Sequence, residues 1–133
     1  MQNVVNKVQQ PQINRGDIYL ASIPGGVGSE QTMINRPVVI LQNNMGNRFS
    51  PTITICPLTS KQGKKWLPTH VKLFKTKSLA TLSIVLAEQI TTISKERLTR
   101  FIGVVEKSEM FAIEDALLIQ MGIIPRNKVA YAN

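Results

Sequence analysis

One cysteine, one histidine and eight acidic residues are all that this chain of 133 residues holds of three chemically active classes. A single thiol, Cys56, excludes an internal disulfide framework, and with a single imidazole, His70, it cannot make a Cys/His zinc site at any recognised spacing. No apolar run approaches the ~20 residues that cross a bilayer. The polar start MQNVVNKVQQPQIN lacks the apolar centre of a secretory signal, so the expected location is cytoplasmic. Internal repeats and low-complexity tracts are absent from the sequence. The scarcity of acids is the most informative lack. Sixteen Lys and Arg against eight Asp and Glu leave a formal +8 on one domain's worth of polymer. Such a field draws polyanions, nucleic acid most commonly and acidic protein segments by the same force.

What is present divides into a polar arm (1–14), a body (15–124) and a short tail (125–133). The body carries strand-type runs, DIYLASI, PVVILQN, TITICPL, THVKLF and LSIVLAEQITTI, flanked by Gly, Pro, Asn or Ser clusters. Five strands are the minimum. The spacing is too short for helical crossovers, which predicts a largely antiparallel sheet curled into a small barrel. NNMGNRF reads as a turn between two strands. Ser94 before KERL is placed to cap a single turn, and Ser108 before EMFAIEDALLIQMG to cap a longer helix with Glu109 at its positive end. In that helix Met110, Ile113, Leu117 and Met121 share an inward stripe, Glu114 and Gln120 face water, and Gly122 stops it.

In GSEQTMINRPVVIL a full positive charge stands at the foot of an apolar strand. Pro37 pushes Arg36 toward extended geometry and lacks a backbone donor, which is tolerable at the first residue of a strand. A guanidinium on so stiff a stem matches phosphate oxygens in pairs; a surface ion pair with Glu30 is the competing explanation. Its company favours the phosphate. The preceding loop supplies Ser29, Glu30 and Gln31, and PLTS puts the hydroxyls of Thr59 and Ser60 at a strand terminus. If the strand ends share a rim, these groups and Asn43 converge on a volume able to hold one backbone phosphate and its neighbouring bases. Downstream, SKQGKKWLP offers Lys61, Lys64 and Lys65 to phosphates and Trp66 or Leu67 to a splayed base, unless the tryptophan tucks into the body. Gln31, Asn43, Asn47 and Gln89 have the chemistry to read base edges, and Arg48 to reach RNA or a protein partner. His70, inside a strand pattern, reads as structural, and Cys56 as a small core residue.

The blocks RGDIYLA, GSEQ followed by RPVVILQN, NRFSPTITICPLTS, LPTHVKL and LAEQITTISKERL, in that order between Arg15 and Ile123, closely resemble the MazF/PemK family of toxin endoribonucleases. The resemblance implies a mainly β protein with a C-terminal α-helix, an SH3-like small barrel of the CcdB/MazF type, assembled as a homodimer. It also implies sequence-selective cleavage of single-stranded RNA and neutralisation by an acidic antitoxin. The family's catalytic arginine and threonine fall on Arg36 and Thr59, its loop contacts on Ser29, Glu30 and Gln31, and further RNA contacts on Leu67 and Gln89.

RNA carries its own nucleophile, the 2′-hydroxyl, so neither metal nor cofactor is strictly required. Arg36 would stabilise the charge gathering on the nonbridging oxygens, and Thr59 would donate its hydroxyl to one of them. The strand-end motifs hold no Asp/Glu cluster of the kind a two-metal nuclease uses. A 2′,3′-cyclic phosphate and a 5′-hydroxyl are the expected products. Glu30 is the better candidate for the base, and Asn35 stands where some family members carry a histidine. Two rivals remain at this stage. A CcdB-like gyrase inhibitor is associated with an aromatic-glycine ending on the last helix, whereas this chain continues into PRNKVAYAN. A non-catalytic basic SH3-like RNA-binding module needs only charge and size.

Overall fold

Period-two alternation of β-branched residues, as in Ile53, Ile55 and Val38, Ile40, builds the centre of the molecule. The computed structural model describes residues 12–24, 33–61 and 65–123. Their strands are β1 (Asp17–Pro24), β2 (Met33–Ile40), β3 (Thr52–Thr59), β4 (His70–Leu73), β5 (Ser83–Leu86), β6 (Thr91–Ser94) and β7 (Leu98–Val104), with helices α1 (Asn44–Phe49) and α2 (Lys107–Gln120). Every pairing is antiparallel. The order is β4-β5-β3-β2-β1-β7, with β6 also on β3.

Strand β3 changes partners along its length: Thr52 to Ile55 pair with β6, Ile55 to Pro57 with β2, and Leu58 and Thr59 with β5. A strand shared in this way folds a small sheet over on itself. The result is the expected mainly β, barrel-like body with a C-terminal helix. Residues opposite each other in the ladder share a face, and the row Ile18, Val39, Cys56 leads one fully buried cluster onto which Ile113 and Ala116 of α2 pack. Tyr19, Ala21, Val38, Ile40, Ile53 and Ile55 fill the cluster on the other face. Each fully buried Ile or Val contributes roughly 1.5–3 kcal/mol over an exposed one.

Several elements depart from the sequence reading. The run LSIVLAEQITTI is two strands, split by a 3-10 turn at Ala87–Gln89. Strand β7 was not foreseen. NNMGNRF is not a plain turn but the short helix α1, capped by the Asn43 side chain, which accepts from Gly46 N–H at 2.8 Å. Ser94 does cap a single turn, accepting from Glu96 N–H. The longer helix is capped by Glu106 and not Ser108, whose N–H donates to the Glu106 carboxylate. Met110 and Leu117 pack against the core, but Met121 lies past the last turn and is exposed. Gly122, at φ +73°, takes the left-handed conformation that terminates the helix. Glu114 does not simply face water, since its Oε2 accepts from Arg15 Nη1 at 2.7 Å. Glu109 reaches beyond its own helix: its buried carboxylate accepts from Phe74 N–H (2.6 Å), Lys75 N–H (2.8 Å) and Thr76 Oγ1 (2.7 Å), fastening α2 to the segment after β4.

Candidate active site

The β2–β3 ladder stops at Val38 opposite Pro57. The same register continued would set Pro37 against Leu58 and Arg36 against Thr59, but two prolines stand at this point and neither has an N–H with which to extend the ladder. Beyond it the strands part. β2 stays with β1, Ala21 facing Arg36, while β3 turns to β5, Thr59 facing Ile84. A cleft of about 260 Å³ opens in the fork, walled by Asn35, Arg36, Thr59, Ser60, Lys61, Thr81 and Ser83 over a floor of Pro37 and Leu58.

Arg36 is half-buried and has no carboxylate within ion-pair distance among the described residues. Thr59 Oγ1 accepts from Lys61 N–H at 3.1 Å, which occupies an acceptor position and leaves the hydroxyl proton uncommitted among the described residues. Ser83, nearly buried, donates its Oγ to Thr81 O at 3.2 Å. The described lining therefore offers two cations, Arg36 and Lys61, with hydroxyl and amide groups and no carboxylate. Such a set stabilises negative charge on a small tetrahedral oxyanion group. Thr81 and Ser83 were missed in the sequence, where neither falls in a site motif; the pairing of Thr59 with Ile84 is what brings them in.

The family model for a PemK-like, MazF-like toxin of type II toxin-antitoxin systems matches residues 14–121. The chain belongs to this family. It is 42% identical over 112 residues to the endoribonuclease MazF of Staphylococcus epidermidis, covering 84% of this chain and 92% of that protein. An endoribonuclease from a mycobacterial species, solved in complex with its cognate antitoxin, superposes with a TM-score of 0.69 at 26% identity, covering 85% of this chain and 98% of the other. A MazE–MazF structure from Deinococcus radiodurans gives 0.70 at 19% identity, over 86% and 100%, a likeness of fold. Neither the gyrase-inhibitor nor the non-catalytic reading is favoured by this membership.

The other residues expected at the family site divide into three groups. Ser29, Glu30, Gln31 and Lys64 fall outside the described residues. Ser60 and Lys61 wall the cleft, but Asn43 does not: it follows the far end of β2 and spends its side-chain oxygen capping α1. Lys65 is exposed. Leu67 and Gln89 line no part of the cleft; both belong to the end of the β4–β5 hairpin where Ala87 N–H donates to Thr69 O. Trp66 is half out of the body, edge-on to His70 with ring centroids 5.2 Å apart and Lys72 Nζ 5.3 Å from its centre.

His70 is fully used, as its strand position suggested. Nδ1 accepts from Leu67 N–H at 3.3 Å and Nε2 lies 3.0 Å from Glu88 Oε2. Burial alone would raise the Glu88 pKa, but hydrogen bonds from Thr69, the backbone and His70, with the charge of His70, together hold it below the usual glutamate value. Burial, seconded by Glu88, pushes the Cys56 thiol up to about 12, which suits an inert core residue.

Proposed function

We propose that this family toxin works in the cytoplasm as a homodimeric endoribonuclease that cuts single-stranded RNA at selected sequences without a metal. The scissile phosphate lies in the fork between β2 and β3. Arg36 pairs with its nonbridging oxygens and strengthens that contact as phosphorus becomes five-coordinate; the free proton of Thr59 Oγ1 goes to the same oxygens. The substrate's 2′-oxygen forms the new bond to phosphorus, its proton passing to a base assigned to Glu30. The bond to the 5′-oxygen breaks, and that oxygen takes up a proton from solvent water. A 2′,3′-cyclic phosphate and a 5′-hydroxyl result.

The observation that carries this reading is that Arg36 and Thr59, from two different strands, wall one cleft with no carboxylate in its described lining. No described helix is long and apolar enough to cross a membrane. The formal +8 supports an acidic antitoxin, and the mycobacterial relative is solved with its cognate antitoxin. Incubating mixed-sequence RNA with the protein in excess EDTA tests the proposal. Discrete cuts with 5′-hydroxyl ends, lost in Arg36→Ala, are expected; intact RNA would overturn it.

A further inference from the structure

Two buried polar atoms in the described structure have no hydrogen-bond partner, the Tyr19 hydroxyl and Asn47 Oδ1, and both residues line one open pocket of about 670 Å³ that shares no lining residue with the cleft. Tyr19 and Asn47 are 5% and 4% exposed, so each orphaned group stays desolvated without compensation unless something enters to meet it. The Asn47 amide cannot turn to relieve this. Its Nδ2 donates to Gln42 O at 2.9 Å and to Asn44 Oδ1 at 3.1 Å, which leaves Oδ1 as the acceptor without a donor. Burial, with the charge of Asp17, raises the Tyr19 pKa, so the phenol keeps its proton and can donate as well as accept. The Tyr19 ring is held edge-on by Phe101, with centroids 5.5 Å apart.

The pocket thus needs a ligand edge with an N–H or O–H donor beside an acceptor. Leu98 supplies an apolar wall, Arg48 and Lys95 bring two cations, and Glu96 one carboxylate. Lys95 is fixed there by donating its Nζ to Asn47 O. We propose that this pocket is a second nucleotide site. It takes one ribonucleotide with its base edge on Tyr19 and Asn47, a ribose hydroxyl on Glu96 and its phosphate between Arg48 and Lys95. Every nucleobase presents adjacent donor and acceptor groups, and a nucleotide adds a hydroxyl for the carboxylate and an anion for the cations. Tyr19 faces Val38 and Ala21 faces Arg36, so Tyr19 and Arg36 leave the same sheet face two residues apart, about 7 Å along the strands. Extending the site to an RNA strand held in the cleft rests on the function proposed above, whereas the pocket's chemistry does not.

The test uses adenosine 5′-monophosphate, titrated by calorimetry into Arg36→Ala protein, so that binding is read without cleavage and apart from the cleft arginine. Saturable binding is expected. Adding Tyr19→Phe should weaken it about fivefold, the loss of one hydrogen bond. Adding Arg48→Gln should weaken it about tenfold, and the 2′-deoxy nucleotide should bind less well than the ribonucleotide. In the absence of nucleotide, Tyr19→Phe should melt no lower than the parent, because it removes an unpaired group. A short uncleaved RNA that loses affinity with the same substitutions identifies the source as a substrate strand; nucleotide binding without that loss identifies a free mononucleotide, and either supports the site. Absence of binding would overturn it, as would affinity indifferent to both substitutions. So would a change in sedimentation with Arg48→Gln and no nucleotide bound, which assigns the pocket to a second copy of the chain.

Discussion

Arg15 and Arg36 carry the same guanidinium, and their surroundings differ in kind. Arg15 donates Nε to Leu41 O at 3.0 Å and Nη1 to Glu114 at 2.7 Å, tying β2's exit to α2. Beside it the Glu109 carboxylate accepts three hydrogen bonds, and across the sheet Glu88 is held by Thr69 and His70. In the fork, by contrast, Arg36 has no acidic partner among the described residues and Thr59 keeps its proton free. Polar groups that bond one another hold elements together; those left open serve something that is not part of the fold.

The contrast breaks most sharply at Arg36. Arg36→Ala should slow cleavage at least about 10³-fold, roughly 4 kcal/mol of transition-state stabilisation, while shifting the melting midpoint by no more than about 2 °C. A large loss of stability instead would make it a second Arg15. Thr59→Val should cost about 10²-fold in cleavage rate and Thr59→Ser far less, because the serine restores both the donor and the acceptor for Lys61 N–H. On the bonded side the signs reverse. Glu109→Gln replaces one acceptor oxygen by a donor facing donors, and should lose about 1–3 kcal/mol in denaturant unfolding with cleavage unchanged below the transition. The smallest effect concerns Glu88. With its pKa below the ordinary value, its bonds stabilise the fold fully above that value, and the contribution fades as pH falls through the lowered one. Thermal melts at pH 5 and pH 3 should therefore show a steeper acid loss for the parent than for Glu88→Gln.

Central strands and the last helix were legible because Ile53 and Ile55 repeat at the strand period and Ile113, Ala116 and Leu117 at the helical one. Strand β7 was not, since Leu98 to Val104 is mostly exposed and its pairing with β1 slips at Ile18/Tyr19 and Leu20/Ala21, erasing the alternation. α1 was hidden by its length and by Gly46 inside it. The cap of α2 was expected at Ser108 on residue type, whereas Glu106, two residues earlier, caps it by accepting from the Ser108 N–H. For the site, Arg36 and Thr59 could be singled out from their motifs, but the partners they meet depend on which strand β3 joins after Pro57. That is a tertiary fact, which is why Thr81 and Ser83 were overlooked and Asn43 was wrongly sent to the same rim.

The two prolines at the fork give the cleft an unusual origin. Its mouth is propped apart by hydrogens that the backbone does not possess. An anion arriving there meets a seat already shaped, and replacing Pro37 by alanine would offer the strands a fastener with which to zip the entrance shut.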